Sequence, residues 1–329
     1  MRKIRRILVA VKDPSVKSLP AVQKAAQLAK VFGAQLELFH GIADRLSADA
    51  YIYQEGGLAG AERCMRTRYR AGLDALAERL RNLGLKVNVT AEWDFPVYEA
   101  IVRQARRVKA DLIVAECHAG KRTAPWLLHV TDWELLRTSP VPVLLVKNAK
   151  PYVRPVILAA LDPSHLFAKP VKLDEVIMRR AYALSRALGG ALHAMHAYAP
   201  LALGVAPVAG AEAILAMDAL PAIEAKARDG FARELRGRVP RARQHLVTDL
   251  PVDAIPRIAR ETGAAIVVMG AVSRSGLKRL FIGNTAERTL NELTCDVLVV
   301  KPSRFVTRVS RQGRGVRITA TPQFPSAYY

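Results

Sequence analysis

Apolar residues follow two alternating rhythms along this chain. Short β-branched runs without polar interruption, such as ILVAV (7–11) and LIVA (112–115), alternate with stretches whose apolar positions recur every three or four residues, such as QKAAQLAKVFG (23–33). An uninterrupted run suits a strand covered on both faces, and the longer period suits an amphipathic helix. Gly33 stands where the first helix should stop. Strand AQLELFH (34–40), a helix within 62–84, strand VNVTAEW (87–93), a helix over 96–108 opened by Pro96, and strand DLIVAE (111–116) follow in turn. Such alternation predicts right-handed crossovers, hence a doubly wound parallel sheet with helices on both faces, the Rossmann-like form of the α/β class.

The pattern is written twice. IRRILVAVKDPS (4–15) answers VRPVILAALDPS (153–164), and AAQLAKVFGAQLELFH (25–40) answers AYALSRALGGALHAMH (181–196). DFPVYEAIVRQA (94–105) answers DLPVDAIPRIA (249–259), and residues 111–147 run ungapped against 265–301. Four matches in one order indicate a duplicated domain. The expected boundaries are 1–150, 151–302 and a basic, flexible tail over 303–329.

Composition narrows the class. The 329 residues are 51% hydrophobic and 24% charged, values of a globular protein. The longest apolar tract, 197–225, is broken by Pro200, Gly204, Pro207, Gly210 and Pro221, so no transmembrane segment is expected. MRKIRR is basic, but the apolar run after it is too short for a secretory signal, and a cytoplasmic location is expected. Cys64, Cys117 and Cys295 show neither metal nor disulfide spacing and are expected as buried, inert thiols. The net charge of +21 is spread along the chain, with five arginines and no acid in 303–329. It favours non-specific contact with nucleic acid or anionic lipid, but no nucleic-acid-binding signature accompanies it, so specific nucleic-acid recognition is not expected.

Ligands of such sheets bind at the carboxyl ends of the strands, where strand order reverses. That directs attention to Asp13 and Asp162 after the first strand of each copy, and to His40 and His196 after the second. It also picks out the segments that start at Glu116 and Gly270 after the fourth. The paired histidines read as hydrogen-bonded structural residues.

These segments resemble the universal stress protein family in its tandem form, over nearly all of residues 4–302. The resemblance implies two flavodoxin-like domains. It also implies a Gly-x2-Gly-x9-Gly-(Ser/Thr) loop holding nucleotide phosphates, with an Asp after the first strand beside the adenosine. In the second copy Asp162, Gly270, Ser273, Gly283 and Asn284 take those places, with Thr285 next in line. In the first copy Asp13 is kept, but Glu116, Ala119, His129 and Val130 stand at the loop positions. Glycine lets backbone N–H groups approach an anion, and a carboxylate at that mouth repels one. The first copy is therefore expected to have lost its phosphate site.

For the second copy two readings stay open: a site for ATP or another adenine nucleotide with magnesium, or a relic kept for folding. Asn284 tolerates left-handed backbone and can donate to phosphate, and Arg274, Lys278 and Arg279 could neutralise one. No catalytic constellation is legible, so a regulatory, stress-linked binding protein is expected rather than an enzyme. The rival reading is a nucleotide-independent protein that takes a lipid-like or protein partner through the apolar 197–225 tract. The resemblance also implies that the two domains pair as an intramolecular pseudo-dimer, and it leaves open a homodimer of whole chains.

Overall fold

The computed structural model describes residues 4–16, 19–43, 46–47, 57–117, 125–163, 173–198, 211–270, 284–315 and 318–319. The chain forms two compact units. The first comprises Met1–Glu116, Thr123–Thr138 and Arg308–Tyr329, and the second Cys117–Arg122 and Ser139–Thr307.

The first unit opens with β1 (Arg6–Ala10), α1 (Pro20–Phe32), β2 (Gln35–Ile42) and a short β3 (Leu46–Ser47). It continues through α2 (Gly57–Asn82), β4 (Val87–Trp93), α3 (Val97–Arg107), β5 (Leu112–Glu116) and α4 (Pro125–Thr138). Its sheet has the order β4-β2-β1-β5, with every pair parallel. Ile7, Leu8 and Val9 are consecutive and fully buried, as are Ile113 and Val114, so both faces of these strands are covered. Gly33 ends α1 in the left-handed region, its N–H turned back to the carbonyls of Ala29 and Lys30.

The second unit contains β6 (Val143–Val146), β7 (Val156–Leu161), α5 (Leu173–Ala187), β8 (Ala191–Tyr198) and α6 (Ala211–Leu235). After these come β9 (Gln244–Thr248), α7 (Pro251–Glu261), β10 (Ala264–Gly270), α8 (Asn284–Glu292) and β11 (Asp296–Val300). The order is β6-β11-β10-β7-β8-β9, parallel except where β6 runs antiparallel to β11. Both units are thus flavodoxin-like α/β sheets. The strand β6, which the repeat places at the end of the first copy, lies in the second unit. Residues 308–315, expected to be loose, run with the first unit, and β12 (Ile318–Thr319) pairs parallel with β3.

Two polar devices fix the second unit. Asp296, fully buried at the head of β11, accepts the Tyr152 hydroxyl at 2.5 Å and the Lys147 backbone N–H at 2.8 Å. The Lys147 ammonium donates to the carbonyls of Leu290 and Leu293 at the end of α8. Burial and the adjacent carboxylate push the Tyr152 phenol well above its ordinary range. The second device joins β8 to β9, where His193 Nδ1 and His245 Nε2 meet at 3.0 Å with the rings nearly coplanar. One proton joins them, so one ring donates and the other accepts.

Of the three thiols only Cys295 is buried, its pKa pushed up to about 11 by burial and by Asp296; Cys117 is half-buried and Cys64 exposed on α2. The expectation of three buried thiols fails because Cys64 lies on the solvent side of an amphipathic helix. The apolar 197–225 tract is helical from Ala211 onward, while residues 199–210 lie outside the described residues. Among the described residues no helix is long and apolar enough to cross a membrane.

Two outcomes are expected. Tyr152→Phe removes a donor from a buried carboxylate and should cost about 1–3 kcal/mol in a denaturant titration. Burial, then the charges of His245 and Arg243, holds His193 below its ordinary 6.5, and burial lowers His245 against the pull of Glu261. Above 6.5 neither chain state is charged there; below it the unfolded chain takes up protons that the folded pair resists. Thermal stability should therefore fall between about pH 7 and pH 5 in the native protein. It should fall less in His245→Gln, which keeps a polar side chain without titrating there.

Candidate functional site

Strand order reverses at β1 in the first unit and at β7 in the second, so the switch points lie between β1 and β5 and between β7 and β10. Asp13 and Glu116 flank the first; Asp162 and Gly270 flank the second.

At the first mouth, Asp13 Oδ1 accepts the Ser15 hydroxyl at 2.6 Å and the Ser15 N–H at 2.9 Å. Those bonds, aided by His40 and Arg68, hold its carboxyl below the usual range against the opposing effect of partial burial. The side chain is exposed and negative, with one oxygen already committed to its own turn. Pro14 beside it is buried under α2. A Cβ at Gly72 would stand 2.9 Å from Pro14 Cβ and 3.1 Å from Pro14 O, so the helix crosses directly on this loop.

His40 Nδ1 meets the Val11 carbonyl oxygen at 2.8 Å, and its ring tilts against Tyr69 with centroids 4.5 Å apart. The second unit repeats this arrangement. His196 Nδ1 lies 3.2 Å from the Leu161 carbonyl oxygen with its ring near Phe231, and Gly230 of α6 leaves room for Pro163. The duplicated histidines thus tie the end of one strand to its neighbour. The glycine–proline contact was missed in the sequence. Its signal was present, since RAGLDAL (70–76) answers RDGFARE (228–234) on the same helix of each copy.

The two copies part at the fourth strand. In the second, β10 ends at Gly270 and α8 begins at Asn284, with Thr285 in its first turn. Ser273 and Gly283 lie outside the described residues. Gly270 has a packing reason for its identity: a Cβ there would sit 2.6 Å from Leu173 Cδ2 and 3.0 Å from Leu173 Cγ, at the start of α5. Near that corner the Asp162 N–H donates to the buried Asp174 carboxylate at 3.1 Å.

In the first copy, Glu116 ends β5 half-buried and Ala119 lies outside the described residues. The helix α4 starts at Pro125, five residues before Val130, the counterpart of Asn284 in the ungapped repeat. His129 and Val130 are therefore interior helical positions. Only the first four N–H groups of a helix are free, so at these two positions the N–H bonds four residues back. The backbone donors that a phosphate loop presents are used up by the helix. Among the described residues no group of three or more His, Cys, Asp or Glu side chains is placed to hold a metal ion.

Comparison with known proteins agrees with this architecture. The model of the universal stress protein family matches residues 3–147 and 171–301. The chain is 26% identical over 323 residues to Universal stress protein E of Escherichia coli, spanning 94% of this chain and 98% of that protein. Its similarity to Universal stress protein E of Salmonella typhi is 27% over 328 residues, with coverage of 94% and 98%. Among solved structures, a functionally unknown protein from Pseudomonas aeruginosa is 26% identical with a TM-score of 0.70, over 91% of this chain and 93% of that one. A universal stress protein from Archaeoglobus fulgidus shares the fold at 16% identity and a TM-score of 0.60, over 92% and 99% of the two chains. The family model thus falls once on each half of a chain whose two sheets share one plan, and the protein belongs to the universal stress protein family as a tandem two-domain member.

Proposed function

We propose that the protein is a stress-response binding protein whose second unit holds an adenine nucleotide with magnesium, while the first unit holds none. The observation that carries this reading is the divergence at the fourth strand. Gly283 immediately precedes the N-terminus of α8, whereas its counterpart His129 is inside α4. A helix N-terminus beside a strand-order reversal offers free N–H groups and a favourable dipole to a phosphate. Asn284 and Thr285 open that helix, Ser273 precedes it in the sequence, and Asp162 lies across the switch point at the end of β7. The packing role of Gly270 is compatible with this, since a glycine there serves Leu173 whether or not a ligand is present.

Binding rather than turnover is the reading the mouths favour. Among the described residues, His40 and His196 at the ends of the second strands each have Nδ1 against a backbone carbonyl, a contact that ties adjacent strands together. The antiparallel pairing of β6 with β11 supports an intramolecular pseudo-dimer of the two repeats, because it joins the last strand of one copy to the last strand of the other. The free, exposed Cys64 suits a reducing cytoplasm.

Calorimetric titration of the full chain with magnesium-ATP should give saturable binding. Gly283→Arg should abolish it, by at least about tenfold in affinity, while the circular-dichroism spectrum is unchanged. Absence of binding by the native chain, or equal binding by the variant, would overturn the assignment. Glu116→Gly should not create a second site, because α4 still runs through the loop positions.

A further inference from the structure

The corner between β4 and α3 holds a concentration of buried charge that the nucleotide reading does not use. Asp94, the residue after β4, and Glu99, in the first turn of α3, are both almost wholly buried. Arg103, buried with them, donates to both Asp94 oxygens at 2.5 and 2.8 Å and to Glu99 Oε2 at 2.9 Å. One arginine against two carboxylates leaves the cluster one negative charge in excess. Buried charge of that kind is costly unless it is paired and hydrogen-bonded.

The missing charge comes from the far end of the sequence. Arg314 donates its backbone N–H to Asp94 Oδ1 at 2.8 Å and its guanidinium to Glu99 Oε1 at 2.8 Å. Gly313 passes so close that a Cβ there would lie 3.4 Å from the Asp94 carboxylate, and Gly315 turns the chain at φ +70, a conformation that favours glycine. Upstream, Val309 is buried and its carbonyl accepts Arg106 at 3.0 Å; downstream, β12 joins β3 in the segment after β2. The segment therefore runs past the carboxyl ends of β4 and β2.

We propose that Asp94 and Glu99 form a binding site for an arginine–glycine peptide segment, filled by the chain's own Gly313–Arg314–Gly315, which straps residues 308–315 across the carboxyl end of the first unit's sheet. The occupant is recognised twice. Asp94 reads a backbone N–H that only a close glycine-flanked chain can bring near, and Glu99 reads the guanidinium. The Tyr98 hydroxyl, 3.4 Å from Glu99 Oε1, adds a donor on the same oxygen. Most of the Arg314 side chain stays in solvent, with 57% of it exposed, so the contact is made at its tip and is open to competition.

Hydrogen–deuterium exchange on the full chain tests this, with residues 309–315 as the readout and β7 as the internal reference. Arg314→Ala, a half-exposed substitution that leaves the core intact, should speed exchange of residues 309–315 by about tenfold, the loss of a charge-assisted hydrogen bond, and leave β7 unchanged. Glu99→Gln should do the same by removing the partner. Gly315→Val should release the segment even with Arg314 present, because a branched side chain resists the positive φ. Equal exchange in native protein and Arg314→Ala would overturn the proposal. So would loosening by Gly315→Val with none by Arg314→Ala or Glu99→Gln, since the segment would then be held by its backbone path and not by the acidic pair.

Discussion

A strand covered by helices on both faces has no wet side, and this constraint organises the molecule. Ile7, Leu8 and Val9, or Ile266, Val267 and Val268, occupy consecutive positions and are all buried, so no polar chemistry can be carried along these strands. It is displaced to their ends. Asp13, His40, Glu116 and Asp94 in the first unit, and Asp162, His196 and Gly270 in the second, all stand at or just beyond the carboxyl end of a strand. Two sheets with one plan therefore have the same places at which to differ.

What the copies share and what they do not share separate structural from ligand-directed residues. The histidine-to-carbonyl tie is present in both, as is the glycine of the long helix that admits a proline from the loop after the first strand. Features kept in both copies serve the closing of the fold they share. The fourth-strand loop is not shared. One copy places a glycine directly before a helix start, and the other continues helix through the same positions. The Asp94–Glu99 cluster is repeated only in part. Arg257 donates to Asp249 at 3.0 Å as Arg103 does to Asp94, and Asp253 answers Glu99 in the helix register, but Arg257 turns its other nitrogen to Glu261, and the segment that carries Arg314 runs with the first unit.

Local signals in the sequence were legible wherever the physics was local. Strand and helix alternation, the stop at Gly33 and the duplicated histidines were all readable, because periodicity and caps depend on neighbours within a few residues. Three things were not. The ungapped match of 111–147 to 265–301 suggested equal loops, yet PWLLHVTDWELL begins with proline at the first helical position and continues without glycine, so helix extends through it. The place of β6 beside β11 depends on pairing across more than a hundred residues. The return of Arg314 to Asp94 and Glu99 depends on a buried charge imbalance, which no window of sequence contains. Of the residues that the sequence picked out for the candidate nucleotide site, the structure describes Asp162, Gly270, Asn284 and Thr285, and it starts α8 at Asn284.

Under the proposed function, one mouth of the chain binds a nucleotide and the other does not. Native mass spectrometry of the full-length protein in magnesium-ATP counts occupied sites directly. A single bound nucleotide per chain at saturation is expected. Two per chain would mean that the first mouth accepts phosphate despite α4, and none would mean that the glycine before α8 serves the fold alone.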